Sequence, residues 1–394
     1  MVVLIGYQAY DIARADYGMS KAEAAFQLGL LGLVQFIPIL LLTPVAGLVA
    51  DRFDRRKVAS LANLVDAALA ALLASLTAMD ALNLPIVFAI AASHGAAKIF
   101  TMPAMTAIAP NIVPEALLPR AIALSSIAFQ SGSVVGPAVG GLLFAAHAPA
   151  PHILSAALMV FSAILVMTIR PLPPDPHSDL HPLRQILEGV QFTWKERFLL
   201  GCISLDLFAV LLGGATAMLP VFARDILQVG PEGLGLMRGA PALGAAGVAL
   251  LLSIRPIEKN VGVKMLWAVA AFGAVTILFG LSRNFFLSLG LLSLLGAADM
   301  VSVYIRGSLV QLYTPNAMRG RVSAISGLAI SASNELGEMQ SGLAAFVLGV
   351  TGAVVFGGAG AIVVTALWAW LFPELRRART FSTRLRETER ENFV

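Results

Sequence analysis

The sequence predicts an all-α protein that crosses a membrane many times, and three observations lead to that prediction. Apolar residues make up 58% of the 394 residues and charged residues only 13%, whereas a soluble domain carries about 25% charged residues. The mean hydropathy is +0.83. The apolar residues fall into runs of about 20, the length of a helix that crosses a bilayer. These features together exclude a soluble globular protein.

The first apolar run, 1–10, is shorter than a full span. At 1.5 Å per residue it covers about 15 Å, half of a hydrocarbon core about 30 Å thick. Charged residues from Asp11 onward follow it, so we expect a half-helix or a start further upstream. No basic segment precedes the run, and a cleavable signal peptide is therefore not predicted. Eleven more spans are predicted near 26–50, 58–79, 84–102, 121–146, 153–169, 198–222, 234–254, 265–281, 285–304, 322–350 and 353–372.

A charged loop between the second and third spans sets the predicted orientation. It carries the cations Arg52, Arg55, Arg56 and Lys57, and Lys and Arg stay on the cytoplasmic side during insertion. In the resulting topology, 21 of the 27 cations lie in inside loops, five lie outside, and Lys98 lies within a span. Both termini are thus predicted to be cytoplasmic, in the inner or plasma membrane. The same bias explains the net charge of +4, so nucleic-acid binding is not predicted.

The two halves of the chain repeat at a constant offset of 201 residues. This shift lays 114–123 on 315–324, and it pairs Gly136 with Gly337 and Gly141 with Gly342. A repeat in the same orientation predicts two six-helix bundles related by an axis along the membrane normal, with a substrate site between them near the midplane.

Four regions are predicted from the spans and the repeat. The N-terminal bundle covers 1–170 and the C-terminal bundle covers 198–372. Between them, 171–197 is a cytoplasmic linker whose second part has the helical apolar spacing of an interfacial helix. A polar, basic cytoplasmic tail occupies 373–394.

The charged loop also contains acids, which orientation alone does not require. Its pattern is Gly47-x-x-x-Asp51-Arg52-x-x-Arg55-Arg56. Residues of both signs can clamp neighbouring helix ends in one state and release them in another, with Asp51 against a helix N-terminus. The alternative is a loop that only sets the topology, which would need the cations but not Asp51. We favour the gating role.

The fifth span carries small residues at four-residue spacing. The pattern is Gly132-x-x-x-Gly136-Pro137-x-x-Gly140-Gly141. Small residues at this spacing let two helix backbones approach closely, and the proline bends the helix. Generic close packing is the simpler interpretation, and it is compatible with a role in shaping a transport path.

Ionisable side chains within spans are costly and are therefore candidates for a proton or substrate site. The candidate residues are Asp206, Glu335, Glu338, Lys98, Asp299 and Arg306. A carboxylate in a low-dielectric cavity binds a proton more tightly and can exchange it for substrate. Our hypothesis is that Asp206 or Glu335 carries a coupling proton. The alternative is structural pairing, of Asp66 with Lys98 and of Asp299 with Arg306, and for the second pair we favour that alternative.

These motifs resemble those of the major facilitator superfamily over nearly the whole chain. The loop pattern is similar to the superfamily motif between the second and third helices, with Asp54 where the general motif has Gly, as in the branch of enterobactin exporters and macrolide efflux proteins. The Gly132–Gly141 pattern is similar to the fifth-helix motif of drug–proton antiporters. The segments 319–322 and 333–338 resemble regions around the eleventh helix of the enterobactin-exporter-like branch.

The resemblance implies the major facilitator fold and a secondary active transporter. It implies a proton-coupled exporter of small amphipathic molecules, siderophore-like or drug-like, that is driven by the proton motive force without a cofactor. The expected partners are a small-molecule substrate, protons and the lipid bilayer, and the expected state is a monomer. The fourth span lacks the arginine that many members carry, and Lys98 is the candidate substitute. A lipid or lysophospholipid flippase and a transport-inactive sensor or assembly subunit remain alternatives.

An enzyme is not predicted. The sequence has no phosphate-binding Gly-x-x-x-x-Gly-Lys pattern. His177 and His181 are four residues apart without an evident third ligand, so a solvated loop is favoured over a zinc site. The single cysteine, Cys202, lies in an apolar run and is predicted to pack in the interior.

Overall fold

The structure is a computed structural model that describes residues 2–114, 117–171, 182–315 and 318–381. Within these ranges the regular elements are helices, and no residue is in a strand. The predicted all-α class is confirmed. The histidine pair His177 and His181 and most of the predicted tail, 382–394, lie outside the described residues.

The first half contains six long or medium helices. They are α1 (Val2–Ala15), α2 (Lys21–Arg52), α3 (Arg55–Ala78), α4 (Leu84–Ile112), α5 (Leu118–Ala146) and α6 (Ala150–Thr168). The second half contains α7 (Pro182–Lys195), α8 (Arg197–Leu212), the single turn α9 (Leu219–Val221), α10 (Gly230–Ile254), α11 (Val261–Leu281), α12 (Phe285–Tyr313), α13 (Arg319–Leu371) and α14 (Pro373–Arg377).

Ten stretches of the described chain are long and apolar enough to cross a membrane. The longest, Arg321–Leu371, has 51 residues and would extend about 77 Å as a helix, more than twice a 30 Å hydrocarbon core. It is divided at Gly349, whose φ of 73° and ψ of 163° are not helical. This stretch therefore holds two crossings, and together with the shorter α1 these segments match the twelve predicted spans. The chain is a multi-pass membrane protein.

The first helix is longer than the sequence predicted. The apolar run was expected to stop at Tyr10, but α1 continues to Ala15 and includes Asp11 and Arg14. The helix can extend through these charges because each has a partner of opposite sign, Arg224 for Asp11 and Asp225 for Arg14.

The offset of 201 residues recurs in the helix boundaries. Helices α4 and α12 each have 29 residues, and they begin at Leu84 and Phe285. An asparagine caps each: the Asn83 side chain accepts a hydrogen bond from the Ile86 backbone N–H at 3.1 Å, and Asn284 accepts from Leu287 at 3.0 Å. An asparagine at this position satisfies a backbone N–H that the helix leaves unpaired.

Contacts divide the chain into two compact units, Met1–Pro182 with Ala217–Gly239, and Leu183–Thr216 with Ala240–Val394. The first unit therefore includes part of the second half of the sequence. In the first unit α3 packs against α4 and α6; in the second, α8, α11 and α13 pack around a common core. Cys202 is fully buried in that core, beside Leu199 and Met265. The domain boundaries inferred from the sequence stay a prediction.

The predicted linker helix forms as α7. Its apolar side chains Leu187 and Trp194 are 65% and 72% exposed, as expected of a helix that lies in a membrane interface. Glu188 forms a salt bridge of 2.8 Å with Arg321 at the start of α13. The preceding residues 172–181 are outside the described part of the chain.

Candidate functional site

A buried ion pair lies in the second unit between α8 and α12. Asp206 of α8 is 8% exposed and Arg306 of α12 is 5% exposed, and their side chains form a salt bridge. Both helices are otherwise strongly apolar. In such surroundings each charge requires the other, because an unpaired buried charge is far more costly than a paired one.

Asp299 is a second carboxylate beside this pair. With Asp206 and Ser302 it lines a cavity of about 10 Å³, close to the space that one water needs. Asp299 forms no hydrogen bond or ion pair with any residue that the structure describes. The buried ion pair of Asp206 and Arg306 therefore has a second carboxylate in its neighbourhood, beside Asp206.

The structure corrects the predicted pairing of Asp299 with Arg306. The two residues are seven apart on α12, about 10.5 Å along the helix axis. Side chains three or four residues apart are the ones that meet on a helix surface. Arg306 instead reaches across to Asp206 on α8. Asp206, which we considered as a proton carrier, is thus the counter-ion of Arg306.

The membrane segment that carries Asp206 is broken close to the ion pair. Helix α8 ends at Leu212, and a 3₁₀ turn begins at Ala215 after two glycines. Gly214 accepts a hydrogen bond from the Ser341 hydroxyl at 3.2 Å, and it packs against the carbonyl of Gly337 on α13. Discontinuous helices at membrane depth are typical of transporter binding sites, because freed backbone groups can face a ligand or an ion.

The other candidate carboxylates lie on α13. Glu335 and Glu338 are half-buried, near the middle of the segment that precedes Gly349. Gly337, between them, packs against the backbone of Leu211 at the end of α8. Glu335 stays a candidate for the coupling carboxylate.

The first unit contains a different buried pair. Asp66 of α3 and His94 of α4 are 6% and 8% exposed, and Nδ1 of the histidine lies 2.8 Å from the carboxylate. The predicted pairing of Asp66 with Lys98 is wrong. The histidine ring fits the close contact between α3 and α4, whereas the longer Lys98 side chain is exposed.

In the charged loop, Arg56 is the buried cation. Its guanidinium bonds Asp54 bidentately, at 2.6 and 3.1 Å, and donates to the carbonyl of Ile169 at the end of α6. Asp54 also caps α3 by accepting from the Arg56 backbone N–H at 3.0 Å, and Arg56 holds the pKa of the Asp54 carboxyl below its usual range. Arg56 thus ties the start of α3 to α6. An aspartate directly before a helix was the signal for this cap.

The other loop residues are less engaged. Gly47 and Asp51 belong to the last turns of α2, and the Asp51 side chain lies outside the described part of the structure. Arg52 is exposed and Arg55 half-buried, and neither forms an ion pair with a described residue. The clamp that we assigned to Asp51 stays a prediction.

In the fifth-span motif, the close backbone approach is concentrated at one glycine. Gly141 lies against Gly235 and the carbonyl of Pro231 in α10, and a Cβ on Gly235 would collide with the carbonyl of Pro137. Gly140 has only a side-chain neighbour at 3.8 Å, and Gly132 and Gly136 face open space.

That open space is a cavity of about 950 Å³ in the first unit, lined by α1, α5 and α6. Gly132, Gly136 and Pro137 form part of its wall. The lining is mainly apolar, with the hydroxyls of Ser131 and Ser155 among the polar groups. A cavity of this size and composition suits a drug-sized molecule that is largely apolar and makes a few hydrogen bonds.

A charged cluster that the sequence did not reveal links α1 to the segment after α9. Tyr10, fully buried, donates a 2.5 Å hydrogen bond to Asp225, and Arg14 lies 3.4 Å from the same carboxylate. Arg224 pairs with Asp11 at 2.9 Å and lies over the Tyr10 ring. These contacts join residues more than 200 positions apart, so sequence spacing gave no signal.

Three comparisons with known proteins bear on this arrangement. The sequence profile of the Major Facilitator Superfamily matches residues 3–338. The chain is 29% identical over 343 residues to "Enterobactin exporter EntS" of Escherichia coli O1:K1 / APEC, covering 85% of this chain and 80% of that protein. It is 28% identical over 342 residues to the protein of the same name from Shigella boydii serotype 18, with the same coverage.

Among solved structures, the fold is similar to that of a POT family transporter in complex with a thioalcohol conjugated peptide. The TM-score is 0.71 at 14% identity, covering 95% of this chain and 93% of that one. A Spinster homologue in an inward-facing and occupied conformation gives a TM-score of 0.66 at 14% identity, covering 95% of each chain. At these identities the likeness concerns the fold alone.

Proposed function

The chain belongs to the Major Facilitator Superfamily, and from that premise we propose that it is a proton-coupled exporter of small amphipathic molecules, siderophore-like or drug-like, that works by alternating access. Membership makes it a secondary transporter and not an enzyme, and relatives that are named as exporters support efflux. Relatives named as enterobactin exporters support the siderophore class. The large, mainly apolar cavity along α5 supports an amphipathic substrate.

The observation that carries the proton coupling is the single cation Arg306 beside the two carboxylates Asp206 and Asp299. With all three groups ionised, the cluster carries a net charge of −1 at membrane depth, which is unfavourable. Protonation of Asp299 removes that charge. We therefore assign the coupling proton to Asp299 and the counter-ion role to Asp206.

Loss of the proton places a second anionic charge, Asp299, near the ion pair of Asp206 and Arg306. That charge would weaken the packing of α12 against α8, next to the break after Leu212. A change of buried charge can shift the balance between two conformations of packed helices. In this mechanism binding of the proton and binding of substrate favour different conformations, so that each drives release of the other.

The test is transport by the purified full chain in proteoliposomes under an imposed pH gradient, with a catecholate siderophore and a fluorescent cation as parallel substrates. We expect uncoupler-sensitive accumulation of at least one of them. Asp299→Asn should reduce gradient-driven accumulation on the order of tenfold or more, because the amide cannot bind the proton, while exchange without a gradient continues. Asp80→Asn is the matched control, since Asp80 lies in an exposed turn.

Full gradient-driven transport by Asp299→Asn would overturn the assignment, and Glu335→Gln in the same assay would then test the remaining carboxylate. A wild-type chain without uncoupler-sensitive flux of either substrate would contradict the proposed function itself. Movement of a fluorescent lysophospholipid between leaflets of the same vesicles would in that case identify a lipid flippase.

A further inference from the structure

A second cavity in the first unit shares no lining residue with the cavity along α5. It is an open groove of about 620 Å³ in the first unit, between the end of α2 and the facing sides of α3 and α4. Val58, Leu61 and Val65 of α3 line one wall, and Ala96 and Phe100 of α4 line the other. Leu61 and Val65 are 65% and 41% exposed, so the groove opens at the surface of the unit.

The groove has one apolar end and one cationic end. Lys57 lines it at the first turn of α3, and Val65 lies eight residues further, about 12 Å along the helix. Side chains on a helix lean toward its N-terminus, which directs Lys57 to the loop and away from the apolar wall. A length of 12 Å is most of the ~15 Å thickness of one leaflet's hydrocarbon.

The cations at this end of α3 differ in their contacts with the described residues. Arg56 is bonded to Asp54 and to the Ile169 carbonyl. By contrast, Lys57, Arg52 and Arg55 form no ion pair or hydrogen bond with any described residue. Lys57 therefore lies at the mouth of an apolar groove that covers most of one leaflet's hydrocarbon, with Arg52 and Arg55 close to it in the sequence.

We propose that this groove binds an anionic phospholipid, with an acyl chain along α3 and α4 and the phosphate group at Lys57, Arg52 and Arg55. Basic sites at the ends of membrane helices attract acidic lipid headgroups, and the apolar wall favours an acyl chain over a water-soluble phosphate compound. A cationic drug is disfavoured at the same place because the charged side chain that lines the groove, Lys57, is itself a cation. The bound lipid would hold the charged loop at the membrane surface.

The experiment is native mass spectrometry of the full chain in detergent with equimolar dioleoyl phosphatidylglycerol and dioleoyl phosphatidylcholine. We expect the first retained lipid to be phosphatidylglycerol by about tenfold, and Lys57→Ala to reduce that preference about fivefold. Lys264→Ala is the charge control, since Lys264 is an exposed cation at the start of α11. Ala96→Phe, which fills the groove, should lower retention of the dioleoyl lipid but not of dihexanoyl phosphatidylglycerol.

Equal retention of the two dioleoyl lipids would overturn the proposal. So would an equal effect of Lys57→Ala and Lys264→Ala, which would indicate general attraction to a basic protein. An Ala96→Phe variant with unchanged retention would show that no acyl chain occupies the groove. Only intact, folded protein retains lipid in this measurement. The thermal stability of each variant is therefore measured first in detergent without added lipid, and variants of equal stability are compared.

Discussion

Helices α4 and α12 have a common frame: each has 29 residues and an asparagine cap, and the two are offset by 201 residues. They carry opposite charges at one equivalent position. At that offset Lys98 of α4 corresponds to Asp299 of α12. Next to α4, the carboxylate of Asp66 is bonded to His94, which can be neutral. Next to α12, the carboxylate of Asp206 is bonded to Arg306, which is permanently charged.

The difference shows how a repeated fold separates structure from chemistry. A carboxylate bonded to a histidine can share a proton locally and leave no net charge to be exchanged. An arginine with two carboxylates cannot be neutralised without a proton from outside the cluster. The frame common to α4 and α12 therefore supports the fold, and the residues that break the repeat, above all Asp299 and Arg306, are the ones to which we assign transport chemistry.

The largest expected effect is the loss of Arg306. Arg306→Gln leaves Asp206 buried without a charged partner, and we expect a loss of ~3–5 kcal/mol in the free energy of unfolding. His94→Gln in the first unit keeps a hydrogen-bond donor for Asp66, so its cost should be only ~1–3 kcal/mol. Denaturation by sodium dodecyl sulfate in mixed micelles measures both.

The double variant Asp206→Asn with Arg306→Gln provides the control, because it removes the unpaired charge. It should recover most of the loss that Arg306→Gln causes. If the double variant is as unstable as the single one, the cost comes from packing of the arginine side chain and the contrast between the two pairs disappears.

The next-largest expected effect concerns two equivalent joints: the short connection between α5 and α6, and the break at Gly349 within α13. Between α5 and α6 the chain turns through His147, Ala148 and Pro149, whereas position 349, at the same offset, is a glycine with φ 73° and ψ 163°. Only glycine adopts this conformation readily, so Gly349→Ala should destabilise the protein by ~1–3 kcal/mol.

At the matched position, Ala148→Gly should cost no more than ~1 kcal/mol, because it only adds backbone freedom. Thermal unfolding of the two variants side by side makes the comparison. Equal losses would mean that the joints are equivalent despite their different geometry.

The smallest effect tests the part of the frame that the two halves share. Asn83→Ala and Asn284→Ala each remove one capping hydrogen bond, and each should lower stability by ~1 kcal/mol. Asn→Ser at either position retains a capping oxygen and is the control. A difference of several kcal/mol between the two alanine variants would show that the shared frame is not energetically equivalent.

The fold was largely predictable from the sequence because membrane helices leave long, local signals. Twelve apolar runs, the charged loop and the 201-residue offset each involve neighbouring residues or a fixed shift. The Asp54 cap was equally local and was missed only because the cations around it suggested orientation rather than helix capping.

The partners of buried charges were less predictable, because they depend on which helices meet and how deeply each side chain reaches. Asp66 pairs with His94 instead of Lys98. Arg306 pairs with Asp206 instead of Asp299 on its own helix. Asp11 and Arg14 follow the first apolar run, and α1 continues through them because they pair with residues 224 and 225. Composition indicates that such charges need partners, but not which partners they find.

The contact between Gly141 and Gly235 has a consequence for how the sequence of this protein can drift. A methyl group on either residue would meet the backbone of the other helix, since each glycine lies against the chain that carries the other. A larger residue at one of these sites cannot be compensated by a smaller residue at the other, because glycine is already the smallest. Each of the two glycines therefore restricts substitution of the other. Sequence variation should accumulate at Gly132 and Gly136, which face open space, before it reaches this pair.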